Sequence, residues 1–374
     1  MSYKTKKIKY EELEQEKLNF LIPILYEIDW DGVKYEILVN CKRRSKKAVI
    51  FGTGAILKDK PLPVFSRASW MRHMSYNGIW YFDPTVYLGD LVLGWGYGTN
   101  DRWYLQDIAK LVEIFLCKMK VSNENTLFFG SSGGGFTSIL LASMFRSRAT
   151  AINPQLDVTQ YFAGSVEQLQ QDVLKDGEAL IPTRTNASVF IRENGYLPVV
   201  HLVDNLFSSH DTKTQLQLFL NQLAADKVNC TDRLFVDFYS AKGGHGGMPT
   251  KEACLRIIED DLVRPIPATN QFRLESKPMP VELNLQVALA GDQLKVTANA
   301  TPVNEFTEYA YYLCKNSGAQ AVVKQGYIKD SEFVFKLEEP GRYFVRVFSK
   351  NKYYPEDEYT ISDKYTEFIE FLER

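Results

Sequence analysis

The sequence predicts an α/β protein with a mostly parallel sheet, followed by a smaller all-β domain. After Phe51, strand-like apolar runs alternate with helix-length stretches as far as residue 263, whereas beyond residue 278 only short alternating runs occur. Alternation of this kind favours right-handed crossovers and a parallel sheet covered on both faces. With 374 residues, the chain is expected to form two domains.

The first segments are predicted to open the sheet. Three apolar segments lie within residues 21–51, interrupted by a turn at Trp30-Asp31-Gly32 and by a basic stretch, and they are typical of antiparallel strands. The lysine-rich start is interpreted as a solvated terminus, with contact to an anionic membrane surface as the alternative. Its lysines are Lys4, Lys6, Lys7 and Lys9.

Four strands and four helices are predicted in the α/β part. The strands are residues 91–93, 126–129, 199–203 and 234–239. The helices are residues 102–119, 136–144, 212–225 and 251–263. Residues 1–264 are therefore assigned to one domain.

A proline-rich linker and a second domain are predicted to follow. Pro265 and Pro267 open a stretch with little periodicity, so residues 265–277 are interpreted as the linker. Residues 278–374 then contain short alternating runs separated by turn-rich pieces, which predicts an antiparallel β-sandwich. The runs are residues 283–288, 294–298, 310–314, 332–337 and 343–348.

Composition argues against several functional classes. The formal charge of -2 is not that of a nucleic-acid-binding domain. No apolar run is long enough to cross a membrane or to act as a signal peptide, so a cytoplasmic protein is expected, with the inner face of the membrane as a candidate location. The five cysteines are scattered and form no CxxC pair, which argues against a disulfide framework and a metal site.

The strongest functional signal is a glycine-flanked serine between a buried strand and a helix. Gly130 and Gly134 place Ser132 in a G-x-S-x-G turn, which must be tight enough to exclude a Cβ at both flanking positions. Ser132 is therefore predicted to be a nucleophile, and the backbone N–H of Gly133 an oxyanion donor. The alternative is a phosphate-binding loop, but the GK[ST] of a P-loop is missing.

A nucleophilic serine needs a base that is itself held by a carboxylate. His245 lies among four glycines after the strand at 234–239, in the Ser, acid, His order of the α/β-hydrolase fold, and it is predicted to be the base. The acid should follow the strand at 199–203, where Asp204 and Asp211 both qualify. Asp211 is preferred and Asp204 is kept as the alternate, since either can instead cap a turn or a helix.

Other residues are candidates for the oxyanion hole and the substrate pocket. Thr53 and Gly54 follow an earlier strand and are predicted to supply the second oxyanion donor. Arg67, Trp70 and Trp95 are predicted to bind substrate, because aromatic rings stack on sugars and arginine binds anionic groups. Ordinary packing is the alternative for each. No G-x-G-x-x-G precedes a helix, so no nucleotide cofactor is assigned to the fold.

With these motifs the chain resembles α/β-hydrolase-type proteins of bacterial capsule and surface-glycan synthesis. Meningococcal-type capsule polysaccharide O-acetyltransferases and the acetyltransferases of accessory Sec glycoprotein export belong to this group. The resemblance covers about residues 45–260. It rests on Phe51-Gly-Thr-Gly-Ala55, Phe65-Ser-Arg-Ala-Ser-Trp70, Gly130-Ser-Ser-Gly-Gly-Gly-Phe136, Ala151-Ile-Asn-Pro-Gln155 and Gly244-His-Gly-Gly247.

The resemblance implies that Ser132, with His245 as base, takes an acetyl group from acetyl-CoA and passes it to a hydroxyl of a bacterial polysaccharide. The chain departs from the family where the acid is expected, three or four residues past the strand, because Phe207 and Ser208 stand there. The C-terminal sandwich is similar to immunoglobulin-like modules of glycan-synthesis proteins, which implies other such proteins as its partners.

Two alternatives to an O-acetyltransferase remain at this point. A carbohydrate esterase or deacetylase would use the same three residues, because sequence does not reveal whether water is kept from the acyl-enzyme. A non-catalytic scaffold of a glycan-assembly complex is the second alternative.

Overall fold

The computed structural model describes residues 3–58, 60–268, 272–274, 281–316, 320–352 and 357–372. The chain divides into two compact units, Met1–Leu274 and Glu275–Arg374. The first is α/β and the second is all-β, as the sequence predicts. None of the helices within the described ranges is long and apolar enough to cross a membrane.

The first unit is built on a nine-stranded sheet with the order β1-β2-β3-β5-β4-β6-β7-β8-β9. β3 is antiparallel to both of its neighbours, and the other neighbouring pairs are parallel. The strands are β1 (Lys4–Lys9), β2 (Ile24–Trp30), β3 (Val33–Asn40), β4 (Ala48–Phe51), β5 (Asn77–Tyr81), β6 (Thr126–Ser131), β7 (Arg148–Ile152), β8 (Val199–Asn205) and β9 (Leu234–Tyr239).

Helices cover both faces of this sheet. They are α1 (Tyr10–Leu13), α2 (Tyr104–Met119), α3 (Gly133–Phe145), α4 (Ala163–Val173), α5 (Pro182–Thr185), α6 (Ala187–Asn194), α7 (Gln217–Ala225) and α8 (Lys251–Asp261). A π-helical stretch, His210–Leu216, precedes α7. Side chains of β6 alternate between the two cores: Phe128 packs into the core that contains α2 and α3, while Leu127 and Phe129 pack into the core that contains α8.

Helix α3 passes through the interior directly behind the serine turn. Every residue from Gly133 to Phe145 except Met144 is buried, and the helix packs against β6 and β7. A helix that is apolar on all sides is stable only when it is surrounded by protein. The start of α3 is thereby held firmly at the end of β6.

Several local predictions for the first unit were wrong. β4 is parallel to β5 and β6, whereas an antiparallel arrangement was expected. The lysine-rich start forms strand β1, which was not predicted, but its lysines are exposed as expected of a solvated segment, and Lys6 and Lys7 form ion pairs with Glu16 and Glu27. Residues 91–93 are a loop whose leucines are buried, not a strand.

Strands β5 and β7 were not predicted, because their first residues have weak preference for β-structure. β5 begins with Asn77 and Gly78, which are residues that disfavour strands, and β7 begins with Arg148. Their β-structure comes from pairing on both sides within the sheet, and such tertiary pairing overrides weak local preference.

The linker predicted at residues 265–277 also differs from the structure. Residues 272–274 form backbone hydrogen bonds and a β-bridge with Lys227, Val228 and Asn229, which attaches them to the first unit. A proline-rich composition does not reveal such pairing, because it depends on a segment about 45 residues away in the sequence. Residues 265–268 form neither helix nor strand, and the rest of the expected linker at 269–271 and 275–277, with the expected domain start at residue 278, lies outside the described residues.

The second unit contains two antiparallel sheets, with the orders β10-β11-β14 and β13-β12-β15-β16, and β17 pairs with β15. The strands are β10 (Glu282–Ala290), β11 (Gln293–Thr301), β12 (Glu308–Lys315), β13 (Ala321–Ile328), β14 (Glu332–Lys336), β15 (Gly341–Asn351), β16 (Thr360–Tyr365) and β17 (Ile369–Phe371). Their inward residues form a core of this unit's own. The five predicted runs are all strands, whereas β13, β16 and β17 were missed.

Candidate active site

Ser132 occupies the sharp turn between β6 and α3, with φ 55° and ψ -128°. This conformation is strained for a residue with a side chain. A Cβ on Gly130 would lie 2.1 Å from the carbonyl oxygen of Gly134, and a Cβ on Gly134 would lie 2.7 Å from that of Gly52. Glycine is therefore required at both flanking positions for the turn to close.

A chain of hydrogen bonds links Ser132, His245 and Asp211. His245 Nε2 lies 2.8 Å from Ser132 Oγ, and His245 Nδ1 lies 2.8 and 3.0 Å from the two carboxylate oxygens of Asp211. Because an ionised carboxylate only accepts hydrogen bonds, Nδ1 carries the proton and Nε2 is left to accept the serine proton. This is the arrangement that serine hydrolases and acyltransferases use to activate a hydroxyl.

The three residues meet because they follow parallel strands of the same sheet. Ser132 follows β6, Asp211 lies in the π-helical stretch after β8, and His245 lies in a short turn after β9. The carboxyl ends of parallel strands lie at one edge of the sheet, where loops from different strands converge. The side chains, separated by up to 113 positions in sequence, are therefore brought within hydrogen-bond distance.

Two buried asparagines hold the loop that carries His245. The side-chain amide of Asn153 donates to the carbonyl oxygens of His245 and Gly247 over 3.0 and 3.1 Å. The amide of Asn205 donates to the carbonyl oxygens of Ala241 and Gly244 over 2.8 and 2.9 Å. The backbone carbonyl groups of the glycine-rich loop are thus bound by side chains at the ends of β7 and β8.

Asp204 lies near this arrangement but has no hydrogen bond to His245. It is 1% exposed, and its Oδ2 has no hydrogen-bond partner among the described residues. Burial, and to a lesser extent the nearby charge of Asp211, raises the pKa of Asp204 to about 7. Of the two acids left open by the sequence, only Asp211 contacts the imidazole, and it lies inside the π-helical stretch instead of capping it.

The backbone of two segments lies beside Ser132. The N–H of Gly133 is among the first four of α3, which have no partner within the helix. Gly54 lies on the other side, where an added Cβ would be 3.6 Å from Ser132 Cβ. The backbone N–H of Thr53 stays a predicted oxyanion donor, and its hydroxyl donates to the carbonyl oxygens of Val64 and Tyr81, over 3.2 and 3.4 Å, which stabilises the loop.

A cavity of about 500 Å³ opens over Ser132 and His245. Arg67, Trp70 and Tyr161 are part of its wall. Arg67 Nη2 donates to Ser131 Oγ over 2.8 Å, and the guanidinium lies 5.5 Å from the ring centre of Trp70. Burial lowers the pKa of Arg67, and no carboxylate in the described ranges forms an ion pair with it.

The predicted role of Trp95 in substrate stacking needs correction. Trp95 is 1% exposed and does not line the cavity, because its ring is packed into the core. Its indole N–H instead donates to Oε1 of Gln155, whose Nε2 lies 3.0 Å from Ser132 Oγ. A tryptophan in a loop after an apolar run gives no local sign of whether its ring faces a cavity or the core.

Gln155 and Tyr161 are site residues that the sequence analysis missed. Burial raises the pKa of Tyr161, while interactions with Gln155 and Ser132 oppose that rise, and its ring centre lies 5.8 Å from that of His245. Gln155 ends the Asn-Pro-Gln segment that contributed to the family resemblance. That segment was a usable signal, but its place beside Ser132 depends on β7 pairing with β6.

Comparisons with known proteins find similarity only among solved structures. No family model and no curated protein matches the chain. The capsule O-acetyltransferase of Neisseria meningitidis serogroup A is 18% identical, with a TM-score of 0.48 and coverage of 65% of this chain and 94% of that one. The glycosylation-associated Gap123 complex of Streptococcus agalactiae is 14% identical, with a TM-score of 0.44 and coverage of 63% and 44%.

An esterase is also among the similar structures. Thermogutta terrifontis esterase 2 is 13% identical, with a TM-score of 0.44 and coverage of 67% of this chain and 98% of that one. The sheet order, the serine turn between β6 and α3, and the chain order Ser132, Asp211, His245 are those of the α/β-hydrolase fold. The first unit therefore has the α/β-hydrolase fold.

Proposed function

We propose that this protein is a serine-dependent O-acetyltransferase that moves an acetyl group from acetyl-CoA to a hydroxyl of a bacterial surface polysaccharide. Ser132 is the nucleophile, His245 the base and Asp211 the acid. The single observation that carries the proposal is the continuous hydrogen-bonded chain from Asp211 through His245 to Ser132 Oγ, which opens on a cavity. A hydroxyl in this setting is prepared for attack on an acyl carbon.

In the first half-reaction, Ser132 Oγ attacks the carbonyl carbon of the thioester. The new Oγ–C bond forms as the hydroxyl proton moves to His245 Nε2, and the carbonyl π electrons move onto the oxygen. The N–H groups of Gly133 and Gly54 are assigned to stabilise that oxyanion. When the oxyanion collapses, the C–S bond breaks, the thiolate leaves and takes the proton from His245, and Ser132 is acetylated.

In the second half-reaction, His245 accepts the proton of the acceptor hydroxyl as that oxygen attacks the acetyl carbon. Collapse breaks the Oγ–C bond and returns the proton to Ser132, so the enzyme is unchanged and the sugar is esterified. Throughout both steps, buried Asp211 holds the imidazole in one tautomer and stabilises its protonated form.

The acceptor is assigned to the cavity wall formed by Arg67 and Trp70. The planar guanidinium is matched to carboxylate or phosphate groups, and an indole ring is matched to the face of a sugar. Arg67 has no acidic partner among the described residues, so a bound anion would compensate a charge that burial otherwise leaves unbalanced. This supports an acidic glycan as acceptor.

The direct test is intact-protein mass spectrometry after incubation with acetyl-CoA, with wild type beside Ser132→Ala. We expect an acetyl adduct on the wild type alone, and peptide mapping should assign it to Ser132 and not to its neighbour Ser131. An adduct of equal yield on Ser132→Ala would contradict the nucleophile assignment.

The same experiment separates the alternatives. If no adduct forms but p-nitrophenyl acetate is hydrolysed through Ser132, a carbohydrate esterase becomes the favoured function, because water then consumes the acyl-serine before it accumulates. If the folded protein neither hydrolyses that ester nor reacts with a fluorophosphonate, the non-catalytic scaffold is favoured.

The second unit is assigned to contacts with other proteins of glycan assembly, as an immunoglobulin-like module. Support comes from the outward side of β15, where cationic and aromatic side chains alternate. They are Arg342, Phe344, Arg346, Phe348 and Lys350. Pull-down with purified glycan-synthesis proteins, with and without residues 275–374, tests the assignment. Equal recovery by both would contradict it.

A further inference from the structure

Gln155 makes two contacts with the serine turn that the mechanism above does not use. Its backbone N–H donates to the carbonyl oxygen of Ser132 over 3.3 Å, and its side-chain Nε2 lies 3.0 Å from Ser132 Oγ. The residue is fully buried. A buried amide needs partners for both its donor and its acceptor atoms, so each contact is informative about its orientation.

Trp95 determines which end of the Gln155 amide faces the serine. An indole N–H can only donate, so the atom that it contacts must be the carbonyl oxygen Oε1 and not the NH₂ group. The NH₂ group is therefore the end that faces Ser132 Oγ. The oxygen and nitrogen of a side-chain amide are hard to distinguish, and here a neighbour that can only donate fixes the orientation of the Gln155 amide.

The serine hydroxyl is consequently polarised from two sides. Its proton points to His245 Nε2, because Asp211 holds the imidazole proton on Nδ1. Its lone pairs remain to accept a hydrogen bond from Gln155 Nε2. A donor already in place on Oγ gains strength as that oxygen loses its proton, because hydrogen bonds to ionised acceptors are roughly twice as strong as neutral ones.

We propose that Gln155 is a catalytic residue whose amide donates to Ser132 Oγ and stabilises the negative charge that develops there. The inference rests on the proposed acyl-serine function. The charge appears when the Oγ proton moves to His245 as the Oγ–C bond forms, and again when that bond breaks and the electron pair returns to Oγ. This role differs from that of Gly133 and Gly54, which are assigned to the carbonyl oxygen of the acyl group.

Trp95 is then a positioning residue that acts through Gln155. Without its N–H, the Gln155 amide can rotate and present its oxygen to Ser132 Oγ, where two acceptors would repel each other. Trp95→Phe keeps an aromatic ring in the core and removes the N–H donor together with part of the ring volume. Its effect should have the same kinetic signature as loss of the Gln155 amide and should be smaller.

The test compares p-nitrophenolate release from p-nitrophenyl acetate by full-length variants at several pH values. Gln155→Met keeps the length of the side chain and removes the N–H donor. Gln155→Glu supplies an O–H donor when protonated and only acceptors when ionised. Gln215→Met is the matched control, because Gln215 is also a buried glutamine that binds the same segment, through the backbone N–H groups of Leu156 and Asp157, without touching the serine.

We expect Gln155→Met to lower kcat by about 10- to 100-fold with little change in KM, as for loss of a hydrogen bond to a charged group. The ratio of its kcat to that of wild type should be independent of pH. For Gln155→Glu the same ratio should rise as pH falls and the new carboxyl becomes protonated. Gln215→Met should show no such pH-dependent ratio, even if it lowers the melting temperature.

Wild-type kcat in Gln155→Met, or a flat ratio for Gln155→Glu, would overturn the inference. If Gln155→Met does not fold by circular dichroism, Gln155→Glu and Trp95→Phe still decide the question. Failure of the underlying function has a different signature, since Ser132→Ala would then release p-nitrophenolate as fast as wild type.

Discussion

Asp204 and Asp211 are both buried near His245, but their environments differ in kind. Both carboxylate oxygens of Asp211 lie within hydrogen-bond distance of the imidazole Nδ1, so this carboxyl has a hydrogen-bond partner. Asp204 Oδ2 has no hydrogen-bond partner in the described ranges, and burial raises its pKa to about 7. We therefore expect one carboxyl to act in catalysis and the other to cost stability when it ionises.

The first prediction concerns catalysis. Asp211→Asn should lower kcat by about 10³- to 10⁴-fold, because an amide can hold the imidazole in the wrong tautomer and cannot stabilise its charge. Asp204→Asn is the matched control and should have a much smaller effect. The hydrolysis rate of p-nitrophenyl acetate measures both, and a larger loss in Asp204→Asn would reverse the assignment of the acid.

The second prediction concerns stability and pH. An aspartate titrates near 3.9 when unfolded, whereas Asp204 does so at about 7 when folded, so between these values the folded state holds a proton that the unfolded state lacks. The free energy of unfolding should therefore fall as pH rises from about 4 to about 7, with the full cost present above 7. Asp204→Asn removes this cost.

Urea denaturation of wild type and Asp204→Asn at pH 5 and pH 8 measures the effect. The stability gained by the variant should be larger at pH 8, on the order of a few kcal/mol. A gain of the same size at both pH values would show that the ionisation of Asp204 is not its source.

A third prediction concerns the cation in the cavity. Methyl glucuronide should inhibit the wild type more strongly than neutral methyl glucoside, and Arg67→Gln should weaken glucuronide binding by about tenfold or more. Arg72→Gln is the control, because Arg72 is an exposed arginine in the short helical segment Ala68–His73 that directly follows Arg67. Competition against p-nitrophenyl acetate measures both, and equal inhibition of wild type by the two sugars would argue against an anionic acceptor.

At the level of elements, α8 follows the loop after β9 and is held to the sheet by polar side chains. His201 in β8 binds Asp261 of α8 over 2.8 Å and Asp237 of β9 over 3.0 Å. Asp261 is also bound by Thr150 of β7 and by Arg264. These contacts join α8 to β7 and β8 directly, and to β9 through His201.

The fourth prediction follows from the charge of His201. Burial lowers the pKa of His201, but the two carboxylates outweigh that effect, and the net result is a raised pKa. The protonated form is thus favoured on folding. Its contribution to stability is complete below the unfolded value of about 6.5 and is lost as pH rises through the folded value.

His201→Gln should accordingly destabilise the protein more at pH 6 than at pH 9, as measured by urea denaturation. His73→Gln provides the comparison, because His73 is exposed. Equal destabilisation by His201→Gln at the two pH values would mean that the neutral imidazole makes the same contribution as the charged one.

At the level of the whole molecule, each unit has its own hydrophobic core. Ser132, His245, Asp211, Gln155 and Arg67 all lie in the first unit. A compact unit with its own core and all of the site residues is expected to fold and to react without the second unit.

The fifth prediction is that a fragment ending at Leu274 is labelled at Ser132 by a fluorophosphonate as fast as the full chain. Ser132→Ala in the same fragment is the control for labelling elsewhere. A folded fragment that fails to react would show that the second unit contributes to the site.

Fold class and the candidate nucleophile and base could be proposed from sequence because both proposals depend on local patterns. The runs at 126–129, 199–203 and 234–239 are rich in β-branched, aromatic and other apolar residues, and the structure places a strand at each. Ser132 and His245 have glycines around them that only a tight turn or a close approach of loops explains. The structure brings these two side chains within 2.8 Å.

What the sequence by itself determined is therefore the α/β class, the all-β second unit and the two residues with unusual glycine neighbours. Only the tertiary structure decided that Asp211 rather than Asp204 contacts His245, that Trp95 faces the core, and that the Gln155 amide contacts Ser132 Oγ. The physical reason is that backbone conformation restricts which residue types can stand nearby in the sequence, so the sequence itself indicates it. Side-chain contacts across neighbouring strands depend on register and on side-chain direction, which no local pattern contains.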